Sequence, residues 1–210
     1  MGRGWRAAAC ALLVVALAAG CAVREPRPDG AWLSEREALF AAYPIWSVNG
    51  RVGLSDGRRG GSLAFDWSAD GPIHEVRLRT VTGGRQWRLR FGPMQATLEG
   101  SDVGLLRGPD PEPLVEAAVG WPIPVSELAW WIRGIVPPGR ETAIRFAADG
   151  TLASASSPPW EIAFERFDDW SGELMPARID ARSADYRVRL VLRGWHLGSR
   201  QEASPSSNSL

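Results

Sequence analysis

Residues 121–138 read Trp-Pro-Ile-Pro-Val-Ser-Glu-Leu-Ala-Trp-Trp-Ile-Arg-Gly-Ile-Val-Pro-Pro, and both flanks of this stretch read mostly as strands. Pro122 and Pro124 hold the approach extended, because a residue before proline is pushed out of the helical region. From Val125 to Arg133 there is then room for about two helical turns, with Val125, Leu128 and Ile132 on one stripe and Trp131 beside it. Gly134 can supply a left-handed cap, and Pro137-Pro138 forbids continuation. The expectation is a short, very apolar helix carrying Trp130-Trp131, set between strands that need a cover.

Upstream, Ser34-Glu-Arg-Glu37 has the form of a capping box and predicts a helix through about Tyr43, ended by Pro44. Strands are then predicted at 46–54, 61–67, 73–80, 85–91, 94–98 and 103–107, with Gly, Asp, Asn or Pro between them. Asp110-Pro111 opens a second helix whose Leu114/Ala118 and Val115/Val119 pairs fall at i, i+4, and Gly120 stops it. Downstream, strands are predicted at 142–147, 152–156, 160–167, 175–182 and 186–197. These make eleven strands joined by short turns, hence antiparallel.

The alternation along them carries the argument. Tyr186, Val188, Leu190 and Leu192 oppose Arg187, Arg189 and Arg193, and Trp87, Leu89 and Phe91 oppose Arg88 and Arg90. Val76 and Leu78 oppose Arg77 and Arg79, Ile144 and Phe146 oppose Arg145, and Leu63, Phe65 and Trp67 oppose Asp66. A period of two gives one apolar and one charged face. Curled together, such strands form a half-barrel or cup, mainly β, with an oily inside that only short helices remain to cover. Two interiors fit: one filled by Trp and Phe, or an apolar cavity partly lidded by the helix at 125–133. We carry the second forward, because a space lined by Leu, Ile, Phe and Trp is either dry or occupied by something greasy.

The 210 residues suffice for one domain with a substantial core, and 45% hydrophobic with 23% charged residues is ordinary for a globular protein. The 24 basic residues, all Arg, balance 24 acidic ones, so no net positive field exists to collect nucleic acid. His74 and His196 fall on separate strands without a carboxylate or Cys cluster at ligand spacing, so no metal is expected. Asp56 and Asp168-Asp169 are read as turn residues, and Gly60-Gly61 and Gly83-Gly84 as hairpin glycines without a phosphate cradle's strand-to-helix context. No nucleophile elbow or paired carboxylates appear; no enzyme and no cofactor are read here.

The first 20 residues read as a signal peptide: Arg3 and Arg6, an apolar run from Ala7 to Ala19 too short to span a bilayer comfortably, then Leu17-Ala-Ala-Gly-Cys21. Small residues leading to a Cys point to lipidation of Cys21, although Leu17 stands one place farther from the Cys than usual. By resemblance to bacterial lipoproteins, in many of which an Asp directly after the Cys signals inner-membrane retention, Ala22 in that place implies export outward. Residues 21–30 then form a polar, proline-bearing tether reaching roughly 25–30 Å when extended. The body runs over 31–197, and the Ser-rich 198–210 is expected to be a disordered tail.

Gly120-Trp-Pro-Ile-Pro-Val-Ser-Glu-Leu-Ala-Trp-Trp-Ile-Arg-Gly134 resembles the central motif of LolB, the outer-membrane lipoprotein receptor family of Gram-negative bacteria. Asn49-Gly50-Arg51, Trp160-Glu-Ile-Ala-Phe-Glu-Arg-Phe167, Leu174-Met-Pro-Ala-Arg-Ile179, Arg187-Val-Arg-Leu190 and Trp195 resemble its flanking strands, so the similarity runs from about 21 to 197. The resemblance implies an open, eleven-stranded antiparallel half-barrel with helices on its concave side. It also implies a monomer, lipid-anchored to the periplasmic face of the outer membrane, that accepts acylated lipoproteins from a LolA-type periplasmic carrier and inserts them. The residues expected to wall and lid the acyl-chain site are Phe65, Trp67, Leu78, Trp87, Leu89, Phe91, Leu128, Trp131, Ile132, Ile144, Phe146, Val188, Leu190 and Leu192. The family's protruding loop after its third strand carries an exposed Leu. The matching turn here, Thr80-Val-Thr-Gly-Gly-Arg85, has Gly where that Leu is expected, leaving Val81 and Gly83 as the membrane-insertion loop. Two rival readings are a tethered carrier of another apolar ligand and a structural envelope lipoprotein with a filled interior.

Overall fold

The computed structural model describes residues 27–28, 30–82, 84–139 and 143–199. The signal segment, Cys21, most of the tether, Gly83, Thr142 and the tail from 200 lie outside the described residues. Among the described residues three helices, α1 (Ala31–Ala42), α2 (Pro111–Val119) and α3 (Val125–Trp131), accompany eleven strands. The first six are β1 (Ile45–Ser55), β2 (Gly60–Asp70), β3 (Ile73–Thr80), β4 (Gln86–Phe91), β5 (Ala96–Gly100) and β6 (Gly104–Gly108). The last five are β7 (Ala143–Phe146), β8 (Leu152–Ser157), β9 (Trp160–Trp170), β10 (Glu173–Arg182) and β11 (Arg187–Gly198). The expected fold class is therefore what forms: an open, mainly antiparallel sheet with short helices.

The strand order is β6-β5-β4-β3-β2-β1-β11-β10-β9-β8-β7. Each half of the chain is a meander, and the halves join where β1 pairs with β11, antiparallel. That order dictates the role of the middle stretch. β6 and β7 are the two free edges, so residues 109–142 must carry the chain from one edge to the other. The shortest cover for the apolar face is this crossover itself. α2 begins after Asp110, packs on β4, β5 and β6, and ends at Gly120 with φ 77°, the left-handed conformation a Cβ disfavours.

Two local devices shape the sheet. Gly50 faces inward beside its cross-strand partner Phe65, and a Cβ there would collide with the Val191 carbonyl and lie 2.9 Å from Phe65 Cζ. The ring thus takes the place of the missing side chain. At Gly194, φ 58°, the β1–β11 register slips between Ser47 and Asn49. The extra residue resets the alternation, so Leu192 and Trp195, three apart, are both buried.

Several expectations need correction. Ser34 does not open α1: the helix begins at Ala31 behind Gly30, and Ser34 Oγ donates back to the Ala31 carbonyl at 3.0 Å. The capping-box pattern lost because Trp32, wholly buried, draws the preceding turn into the helix. α3 stops at Trp131 rather than Arg133, with Gly134 left-handed at φ 78° just beyond. Asp168 and Asp169 lie in β9 rather than a turn, although Asp169 Oδ1 does accept the Gly172 amide across the β9–β10 turn at 2.9 Å. Gly198 ends β11 rather than beginning a tail. Asp56 behaves as read, accepting the amides of Arg58 and Arg59.

The wet face has its own order. Asp180 is 3% exposed on β10, yet it accepts hydrogen bonds from Arg182, Arg187 and Arg189. Burial alone would raise its pKa, but those three guanidiniums together hold the carboxyl below its ordinary value.

Candidate functional site

The inward faces of β1 to β4 and β11 form a continuous apolar floor. Val52, Leu54, Phe65, Trp67, Val76, Leu78, Trp87, Leu89, Phe91, Val188, Leu190 and Leu192 are each 8% exposed or less. α3 lies over this floor because its stripe has nowhere else to go: Val125, Leu128, Ala129 and Trp131 are buried. Trp131 meets Trp160 edge-on at 5.7 Å, pinning α3 against the start of β9. Polar ties run from the ends of the stretch to the other helices. Trp32 Nε1 of α1 donates to the Gly134 carbonyl at 2.7 Å, and the Ser126 amide donates to Glu112 of α2 at 2.8 Å.

Between α3 and the floor remains an apolar cavity of about 20 Å³, lined by Val52, Phe65, Trp67, Val76, Leu78, Leu89, Ile123, Val125, Leu128 and Leu190. That is room for one water-sized body, and its lining offers water no partner. The unfilled hollow expected from the sequence is thus nearly closed, because Ile123, Val125 and Leu128 descend into it rather than roofing it. Wider clefts of about 380 Å³ open elsewhere, beside Arg90 and Met94 and beside Arg77, Arg88 and Glu99. They open mostly among turn and wet-face residues, with Phe91 bordering the first and Leu78 and Trp87 the second.

Of the expected site residues, Phe65, Trp67, Leu78, Leu89, Leu128 and Leu190 meet at the cavity. Trp87, Phe91, Trp131, Ile132, Val188 and Leu192 are buried in the same core without lining it. Ile144 and Phe146, on the four-residue edge strand β7, are only half-buried against that core. Val52, Val76, Ile123 and Val125 were missed as lining residues. Val76 and Val125 stood on the right face in the alternation and on the helical stripe, whereas Ile123, between two prolines, gave no periodic signal. Val81 is 52% exposed, while Gly83 lies outside the described residues.

Around α3 the polar groups are few and strongly perturbed. Trp67 Nε1 donates to His74 Nδ1 at 3.1 Å, and the imidazole stacks on Phe91 at 4.8 Å. Burial, assisted by Arg133, pushes the His74 pKa down to about 4, so the ring is neutral near pH 7. Arg133 lies over Trp130 at 4.5 Å, and its Nε donates to the Ala129 carbonyl at 2.8 Å at the helix C-terminus. Burial lowers its pKa to about 10. No group of three His, Cys, Asp or Glu among the described residues stands close enough to hold a metal ion. What this arrangement can do chemically is exclude water from hydrocarbon.

Compared with known proteins, residues 44–195 match the family described as Outer membrane lipoprotein LolB. A protein named Outer-membrane lipoprotein LolB from Pseudomonas fluorescens is 30% identical over 188 residues, 86% of this chain and 91% of its own length. One of the same name from Xanthomonas axonopodis pv. citri is 34% identical over 194 residues, 89% of each chain. Among solved structures, a LolA-superfamily protein of Nitrosomonas europaea superposes with a TM-score of 0.51 at 11% identity, covering 80% of this chain and 94% of that one. This last likeness is one of fold.

Proposed function

The chain belongs to the LolB family of outer-membrane lipoproteins, and from that premise we propose that it takes acylated lipoproteins from a LolA-type periplasmic carrier and delivers them into the outer membrane. The observation that carries this reading is the apolar floor of β1–β4 and β11, covered by a short crossover helix instead of a second sheet. A helix of seven residues tied at its ends is the element that can leave without unpairing a strand. With α3 displaced, the floor offers an acyl chain the surface that Ile123, Val125 and Leu128 now cover.

The energetics set the route. Each methylene removed from water contributes about 0.8 kcal/mol, so one long acyl chain exposed in transit costs on the order of 10 kcal/mol. Cargo therefore moves from cavity to cavity with the mouths apposed, and then into lipid. Lipidation at Cys21 holds the receptor at the periplasmic face of its membrane, and the tether lets a monomeric body reorient. The half-exposed Val81 in the Thr80–Arg85 turn is the apolar side chain offered to the bilayer at delivery. No step requires catalysis or a cofactor.

The nearly filled interior favours one rival reading, a structural envelope lipoprotein whose helix never moves. Incubating the non-acylated Cys21→Ala protein with acylated cargo on its carrier separates the two. Cargo moves to this protein if the receptor reading holds; cargo that stays on the carrier excludes it.

A further inference from the structure

Two charged side chains among the described residues are almost wholly buried, Asp180 and Arg36. Asp180 is answered by three arginines. Arg36, 1% exposed on α1, is answered poorly. Its Nη2 reaches Glu173 Oε2 at 3.3 Å, long for a charge-assisted bond, and its Nη1 points at the Met175 thioether at 3.1 Å, a weak acceptor. The guanidinium lies over the Trp32 ring at 4.4 Å, and its Nε finds no acceptor among the described residues. Trp170 stands opposite Glu173 across the β9–β10 ladder, and its buried Nε1 also lacks an acceptor.

Apart from the part-exposed Glu173 carboxylate, this corner bonds Arg36 to no strong acceptor. Arg36 brings donors only, beside the apolar Trp32, Phe167 and Met175. As a structural pin, an unbranched apolar side chain would serve at position 36 without the desolvation that lowers the pKa of this guanidinium. A ligand that completes the site must bring acceptors without donors and must tolerate an apolar wall. Glu173, with its side chain 44% exposed, marks where the corner meets water and is the group such a ligand displaces.

We infer that Arg36, at the corner where α1 packs on the start of β10, is a polar subsite for the ester or amide carbonyl oxygens that join an acyl chain to its head. This rests on the acyl-chain reading above. It supplies what an apolar floor alone lacks, namely a fixed depth at which the chain stops and its polar linkage begins.

A matched pair of amphiphiles tests it on the Cys21→Ala protein: 1-palmitoylglycerol, with an ester carbonyl, and 1-O-hexadecylglycerol, its ether analogue without one. Competition against a fluorescent alkyl probe gives both affinities. The ester binds about tenfold more tightly in the parent, the scale of one hydrogen bond to a charged donor. Arg36→Met brings the ratio to about one with the ether affinity unchanged. Glu173→Gln, a substitution at a part-exposed site that leaves folding intact, widens it by releasing Arg36. Equal affinities in the parent, or a ratio that neither substitution moves, overturns the subsite alone. Binding of neither amphiphile contradicts the acyl-chain reading itself, and the subsite falls with it.

Discussion

Leu128→Ala probes the lid most sharply. Leu128 is 3% exposed and projects from α3 into the small apolar cavity. A buried Leu→Ala change costs about 2–5 kcal/mol, transfer and residual cavity together. Because the floor below is held by paired strands and collapses little, we take about 3 kcal/mol. For a domain of this size that lowers Tm by about 6–12 °C. The same number predicts binding. If the loaded form has Leu128 out of its socket, the substitution destabilises only the closed state, and acyl-chain affinity rises by up to about a hundredfold. A ligand at a hundred times its Kd then adds about 2.7 kcal/mol and restores most of the lost Tm. Thermal melts and titrations with 1-palmitoylglycerol read both effects. A variant that loses stability while its affinity stays the same or weakens refutes the reasoning, since α3 then keeps its seat in the loaded state.

Three further outcomes follow. His74, with its folded pKa depressed to about 4, stays neutral where the unfolded chain is protonated, so stability is complete above about pH 6.5 and is lost as pH falls toward 4. His74→Phe flattens that decline by an amount on the order of 2–3 kcal/mol, seen in urea melts between pH 4 and 7. Asp180, its pKa also depressed, contributes stability that is present above the ordinary carboxylate range and disappears as pH falls below it. Asp180→Asn costs about 1–3 kcal/mol at pH 7, discounted because its arginine partners remain in water, and removes that acid limb from the stability profile. Val81→Glu slows delivery of cargo into liposomes while uptake from the carrier is unchanged; equal delivery rates for mutant and parent remove Val81 from the mechanism.

Much of this fold is legible in residue order because the signal is short-ranged and repeated. The alternation of Val188, Leu190 and Leu192 with arginines, echoed in Trp87, Leu89 and Phe91, identifies strands and their inward face without knowledge of partners. Proline and glycine around 121–138 place α3 to within two residues. What fails is what depends on distant contacts. Ser34 looks like a cap until Trp32 is seen to bond a carbonyl 102 residues away. Arg36 passes unremarked inside the apparent capping box, because a helical pattern cannot report Glu173 and Met175 against it. The extent of cavity filling is likewise invisible: periodicity says which side chains point inward, while their summed volume against the descending helix decides how much space remains.

The central claim is that α3 leaves its floor when an acyl chain arrives. Spin labels at Ser126→Cys on α3 and Arg77→Cys on the outer face of β3, in the Cys21→Ala protein, report that separation by pulsed electron resonance. With saturating 1-palmitoylglycerol the distance distribution shifts outward by roughly half a helix diameter, ~5 Å or more. A distribution that stays in place while the ligand is bound contradicts the account.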